Sequence, residues 1–344
     1  MIASALRQSG LHVALYTSPH LVDVRERMLV GGRPISRDAF AQWTNLLEDT
    51  IRESGASFFE ATTAIAFADF AARGADVAVV EVGLGGRLDS TNVIKPVVSA
   101  VTCVSLEHTD YLGDSLEQIA REKAGIAKEN TTFVIGEPDA TLAAVLTECA
   151  MKAGADVETV PAESRYEGEI GLQGPHQDRN AALAVAVLET LPVELRPNSR
   201  EMRAGIASAW LPGRFDRRGK WVFDVAHNPA AVGKLIDSLR EAKVDCPIHG
   251  LVGVLNDKDA GYILSALEEE LDALWVTTPP SAPQDRRSDL GTLARYTGKH
   301  AVIEPDFARA VEGVQIGART VLVTGSFHTV GDAMNRLPGF APLG

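Results

Sequence analysis

The 344-residue sequence contains three cysteines, Cys103, Cys149 and Cys246, far apart and without a Cys-x-x-Cys pair. That excludes a cysteine-rich zinc site and fits reduced thiols in a cytoplasm. Basic charge is also scarce: 33 lysines and arginines against 46 acids leave a formal net charge of −13. Nucleic acids and anionic membrane surfaces demand a basic patch, so neither is an expected partner. Small anionic substrates respond to local charge and stay open. No apolar run is long enough to span a bilayer. The opening MIASALRQSGLHVALYTSPH has no small-residue cleavage site after an apolar core, so it does not read as a signal peptide. Internal repeats, low-complexity tracts and the G-x-S-x-G elbow of serine hydrolases are missing as well.

What is present is an ordinary globular composition, 45% hydrophobic, in a chain long enough for two cores. A helix ending at Gly10 precedes a strand at 12–16. Further strands are expected at 76–82, 97–102, 131–135, 155–160, 220–225, 248–254, 273–277 and 319–324. Helices are expected at 37–53, 58–73, 139–152, 178–190, 229–241, 258–270 and 306–314. This alternation predicts an α/β protein with mostly parallel sheets covered on both faces. A boundary at LPGRFD, 211–216, divides a first domain, 1–211, from a second, 212–344.

The stretch VAVVEVGLGGRLDSTN, 77–92, invites comparison with a dinucleotide-binding turn. That fingerprint needs G-x-G-x-x-G opening directly into a helix. Here Gly83, Gly85 and Gly86 run into RLDSTN, which is turn chemistry, so the fingerprint fails. Glycines this dense let backbone approach a ligand or another loop closely. Glu81 is left as a carboxylate at a strand end, where open α/β sheets bind ligands; pairing with Arg87 at the sheet rim is the alternative. His108 follows the next strand, at the same edge of the sheet, and the pair suits a hard divalent ion; a surface hydrogen-bonding role is the alternative. Lys123, in REKAGI, ends a helix and is by itself consistent with a solvated side chain favoured by the helix dipole. In FDVAHNPAA, Asp224 closes a strand and Asn228 with Pro229 starts a helix. VLVTGSFHTV, 321–330, opens through Gly325 and Ser326 into another helix.

Nine segments occur in an order that carries a resemblance: YTSPHLVDVRERMLVGG, FFEATTAIAF, VEVGLGGRLDSTN, EHTDYLG, REKAGIAK, LPGRFD, FDVAHNP, NDKD and VTGSFHTV. The chain resembles the bifunctional bacterial folylpolyglutamate synthase/dihydrofolate synthase family of the Mur ligase superfamily, from residue 1 to about residue 335. The resemblance implies a Mur-ligase-type ATP- and folate-binding domain followed by a Rossmann-like glutamate-ligase domain. It implies an ATP-dependent ligase that joins L-glutamate to dihydropteroate, to the γ-carboxyl of folates, or to both, through an acyl phosphate. ATP and magnesium would be the cofactors, and a cytoplasmic monomer the form. Glu81 and His108 match the family's magnesium ligands, and Lys123 matches a lysine the family carbamylates beside the metal. Phe59 and Asp89 match pterin-contacting positions. Ser18 and His20 lie in a loop bordering substrate and nucleotide. Arg214, Asp224 and His227 match residues that reach the ATP phosphates and ribose, and Asn180 matches one facing the adenine.

Two departures accompany the match. Glu107 stands where bacterial relatives carry Asp before the histidine. The chain also has no G-x-x-G-K-[ST] phosphate loop, and Met1 aligns inside the helix that follows that loop in the family. The expectation is therefore an amino-terminally truncated first domain, with the first parallel strand absent and an edge left bare. Alternative readings are another Mur-type amino-acid ligase, or a folate-binding or scaffolding remnant without catalysis.

Overall fold

The computed structural model describes residues 1–298 and 301–342. Two compact units divide the chain: Met1–Pro19 with Arg27–Gly171 and Asp178–Ala209, and His20–Glu26 with Leu172–Gln177 and the residues from Trp210 onward. Two short segments of the first 211 residues, together with Trp210 and Leu211, thus belong to the second unit.

In the first unit the strands are β1 (Val13–Tyr16), β2 (Met28–Val30), β3 (Arg33–Pro34), β4 (Val77–Val80), β5 (Val98–Val101), β6 (Thr132–Ile135) and β7 (Asp156–Thr159). They form two sheets. One has the order β3-β2-β1-β4, parallel only between β1 and β4; the other is the parallel β5-β6-β7. The helices Arg37–Ser54 and Phe58–Ala72 cover the first sheet, and Ala14, Tyr16, Ile65 and Phe70 share a cluster with Met28 and Val30. The second helix starts in a capping box: Ser57 accepts the Glu60 N–H and the Glu60 carboxylate accepts the Ser57 N–H.

One expectation changes here. Glu81 and His108 do not follow neighbouring strands of one sheet, because no hydrogen-bond ladder joins β4 to β5. The two strands are linked through side chains instead: Val77, Val79 and Val98 pack on a common cluster of Ala5, Leu6, Val13 and Leu188. The hairpin β2–β3 was not expected either. Its three- and two-residue strands are too short to show an alternation, and the turn glycines Gly31 and Gly32 are its one sequence mark.

The second unit is a doubly covered sheet. Its strands are β8 (Asp216–Arg218), β9 (Trp221–Phe223), β10 (Ile248–Val252), β11 (Ala273–Val276), β12 (Ala301–Ile303) and β13 (Thr320–Thr324), in the order β12-β11-β10-β13-β9-β8. All ladders are parallel except β8–β9. Alternation along β13 sends Leu322 to the face covered by Leu235, Leu239 and Ile263, and Val321 and Val323 to the face covered by Val311, Val330 and Met334. The central strands β9, β10 and β13 are buried on both faces, which is why they read as largely apolar runs. The loop His20–Glu26 docks on this unit. Leu21 packs on the Trp221–Phe223 cluster, and the Glu26 carboxylate accepts the backbone N–H groups of Leu21, Val22 and Asp23.

Candidate active site

Beyond β4 the chain turns through Gly83–Asn92 and lies along the last turn of the helix Leu116–Ala124, which carries Lys123. Arg87 N–H donates to the Glu122 carbonyl at 2.9 Å, and its guanidinium donates to the Glu122 carboxylate at 2.9 Å. Asn92 Nδ2 donates to the carbonyls of Arg87 and Gly125, both at 3.0 Å. Gly86 permits this approach: a Cβ there would lie 2.8 Å from the Glu122 carbonyl oxygen and 2.9 Å from that of Lys123. The glycines therefore serve a loop-to-helix contact that holds the turn bearing Lys123. Arg87 is engaged with Glu122, not with Glu81. Glu81 Oε2 accepts the Ser18 N–H at 2.8 Å, which joins two of the residues singled out in the sequence.

Asp89 organises the same loop. One carboxylate oxygen accepts the N–H groups of Gly83 and Leu84, and the other accepts the N–H and hydroxyl of Thr91. With its lone pairs occupied by the loop, Asp89 acts on its surroundings chiefly through the shape it imposes. That shape sets Gly83 against the Phe59 ring, where a Cβ would come within 2.3 Å of the ring tip. Phe59 is half-buried, 5.9 Å from the Tyr16 ring. Thr63 bonds both the Tyr16 hydroxyl and Ser90 Oγ, tying β1, the helix and the glycine loop together.

His108 is exposed, in the left-handed region at φ 52°, at the N-cap of the short helix Thr109–Leu112. Its loop is anchored upstream by buried Glu137, whose carboxylate accepts the Val104 N–H at 2.6 Å and the Asp139 N–H at 2.9 Å. Among the described residues no three His, Cys, Asp or Glu side chains group as a metal cage. A carboxylate and an imidazole nevertheless fit magnesium by donor type, since that ion keeps several waters and takes phosphate oxygens.

In the second unit, Asp224 follows β9 half-buried, its carboxylate accepting the N–H groups of Phe215 at 2.8 Å and Ala226 at 2.9 Å. Each donor is the neighbour of a residue singled out in the sequence, Arg214 or His227. Burial pushes the Asp224 carboxyl up, opposed by the two N–H bonds and the Arg214 charge. His227 Nδ1 donates to the Val225 carbonyl at 2.8 Å, leaving Nε2 as the acceptor of the neutral ring. The Arg214 guanidinium lies 5.4 Å from the Phe327 ring, and the His227 ring 5.8 Å from it. His176, outside the sequence-based candidates, adds to this region: burial, Lys234 and Arg214 hold its pKa below the usual histidine value, and its Nδ1 is buried without a hydrogen-bond partner. Asn180 lies on the exposed side of the helix Gln177–Glu189, in the first unit.

Comparison with known proteins gives this geometry its context. Residues 41–168 match the Mur ligase middle domain, and 213–327 the Mur ligase glutamate ligase domain. The dihydrofolate synthase/folylpolyglutamate synthase of Escherichia coli is 33% identical over 97% of this chain and 82% of its own length. The chain belongs to the dihydrofolate synthase/folylpolyglutamate synthase family. The E. coli family member FolC in complex with DHPP and ADP superimposes with a TM-score of 0.87, at 32% identity over 97% of this chain and 84% of that one. The Mycobacterium tuberculosis folylpolyglutamate synthase complexed with ADP and AMPPCP gives 0.85, at 32% identity over 97% and 87%. A probable bifunctional folylpolyglutamate synthase/dihydropteroate synthase of Halobacterium salinarum is 36% identical over 97% of this chain, which spans 44% of that longer protein.

Within this family member, the first unit brings together Ser18 with Glu81, and Phe59, Asp89 and Lys123 around the glycine loop. The second brings together Arg214, Asp224 and His227, and also holds His20. Sequence reading missed Glu26, Glu137, His176 and Lys234. The first two bond only to backbone N–H groups of nearby loops, a role without a motif, while His176 was in plain view beside Asn180.

Proposed function

We propose that this chain carries the ATP-dependent ligation of L-glutamate to dihydropteroate, to the γ-carboxyl of folates, or to both. The observation that carries the reading is the match of 97% of this chain to the structure of the E. coli family member in complex with DHPP and ADP. A carboxylate has no leaving group, so amide formation needs its conversion to an acyl phosphate at the expense of ATP, followed by attack of the glutamate amine and loss of phosphate. Positioning and charge neutralisation supply most of such a rate gain.

Each residue's part follows from its setting. Glu81 and His108 would hold magnesium, which neutralises phosphate oxygens when bound. Lys123, held by the glycine loop, would stand beside them, carbamylated as in the family. Phe59 offers an apolar ring to a pterin face, and Asp89 shapes the loop that frames it. Arg214, His227 and the neighbouring Lys234 and His176 supply positive or donor groups for nucleotide phosphates, with Asp224 fixing the backbone on either side. Ser18 and His20 border the substrate, and Asn180 meets the adenine. We place the protein in the cytoplasm as a monomer; no helix of the described residues is long and apolar enough to cross a membrane.

The test is a substrate panel with magnesium-ATP: dihydropteroate, tetrahydrofolate and a cell-wall precursor, each with and without L-glutamate. ADP release that requires both a pteroate or folate and L-glutamate supports the reading. Release driven by a cell-wall precursor would replace it with another Mur-type ligase.

A further inference from the structure

Glu137 is a buried acid that follows β6 and has no chemical part in the reaction described above. The backbone beneath it is pinned on two sides. Gly136 N–H donates to the Val101 carbonyl at 2.8 Å, and the Gly136 carbonyl accepts Arg179 Nη2 at 2.6 Å. A Cβ at Gly136 would lie 2.9 Å from the Thr102 carbonyl oxygen, so the ends of β5 and β6 are in close contact. Glu137 therefore stands on a fixed base, tied to the end of β5 and to the helix Gln177–Glu189. All of these residues belong to the first unit, as do Glu81 and His108.

From this base Glu137 reaches into the segment that presents His108. Residues 102–107 belong to neither strand nor helix. One carboxylate oxygen takes the Val104 N–H at 2.6 Å, and the other takes the Asp139 N–H at 2.9 Å. An amide has a single acceptor oxygen, so a carboxylate is the group that offers one to each donor, and its charge strengthens both bonds. Burying that charge is costly, so stability alone is a poor explanation for it. What the carboxylate adds is a fixed position for Val104, four residues before His108. His108 itself is held at φ 52°, a left-handed conformation that residues other than glycine keep only when their surroundings enforce it.

Resting on the ligase reading, in which Glu81 and His108 hold magnesium, we propose that Glu137 is a positioning residue for the metal site. By fixing Val104 it sets where His108 is presented, and with it the affinity for the divalent ion. The effect passes through the backbone from Val104 to His108, since both Glu137 oxygens are engaged with N–H groups.

The test is a manganese titration of the full chain in the presence of ADP, followed as paramagnetic broadening of the His108 ring signals in NMR. Those signals are identified by their loss in His108→Gln. Glu137→Ala removes both acceptors and should raise the manganese concentration for half-broadening about tenfold, with Glu137→Gln, which keeps one acceptor, in between. Exchange of the Val104 amide should quicken in Glu137→Ala. Ile135→Val deletes one buried methylene from the same strand and leaves both bonds, so it should cost stability without moving the manganese response. A titration unchanged in Glu137→Ala, or shifted equally by Ile135→Val, would overturn the proposal, as would His108 signals that manganese leaves sharp in the wild type. A shifted titration without folate- and glutamate-dependent ADP release would keep this role and remove the ligase reading. Folate- and glutamate-dependent release with the same magnesium requirement in Glu137→Ala would do the reverse.

Discussion

Replacing Gly86 by alanine probes the contact that holds Lys123. The new methyl would sit 2.8 and 2.9 Å from two backbone oxygens, Glu122 and Lys123, and 3.0 Å from Ile126 Cγ2. The isoleucine can rotate away, but the carbonyls belong to the last helical turn and cannot. The loop must therefore lift by several tenths of an ångström. Overpacking of this kind costs about 1–3 kcal/mol. Loss of the Arg87 N–H to Glu122 carbonyl bond adds about 1 kcal/mol, and the largely exposed Arg87–Glu122 ion pair adds little. A total of about 2–4 kcal/mol is expected, or roughly 30- to 1000-fold faster amide exchange for peptides spanning 116–126, read by hydrogen-exchange mass spectrometry. Gly233 is the control, since it lies inside the helix Pro229–Ala242 and a Cβ there meets nothing within 4 Å. Gly233→Ala should stabilise by up to about 1 kcal/mol. Unchanged exchange at 116–126 in Gly86→Ala would refute the claim that the glycines serve this contact.

Asp224→Asn keeps the shape but turns an NH₂ toward one of two backbone donors, so a loss of about 1–3 kcal/mol is expected in urea unfolding. Because burial raises the Asp224 pKa, its contribution is fullest below the ordinary value of 3.8 and is lost as pH rises toward the folded value, and the variant should lack that slope. His176 runs the other way: its lowered pKa makes stability fall as pH drops from the ordinary 6.5 toward the folded value, and His176→Gln should flatten that window. Gly331→Ala would set a methyl 2.1 Å from the Leu21 carbonyl oxygen, so the loop carrying His20 should gain protease sensitivity while the first unit stays resistant. Glu81→Gln retains an acceptor for the Ser18 N–H but removes the charge; ADP release should fall and its magnesium requirement rise, measured as the magnesium concentration giving half-maximal rate.

The fold was legible wherever burial on both faces writes an apolar run, as in β10 and β13, or where caps mark a helix start, as at Ser57 and Asn228. It was illegible where strands are two or three residues long, and in the pairing of β4 and β5, because ladder partners are set by tertiary packing and not by either strand's own pattern. In the site, the motif residues stood out because glycine, acid and histidine cluster at strand ends. What those residues bond to did not. Asp89 spends its carboxylate on the glycine loop and Asp224 on two backbone donors, and Ser281 meets His328 from 47 residues away. Such partners carry no local signature.

The most direct test is ADP release with magnesium-ATP, dihydropteroate and L-glutamate, each omitted in turn, by the 344-residue chain and by the same chain with any residues encoded in frame upstream. Release that requires all three substrates is expected in at least one of these forms. Release independent of L-glutamate, or none in either form, would contradict the ligase reading.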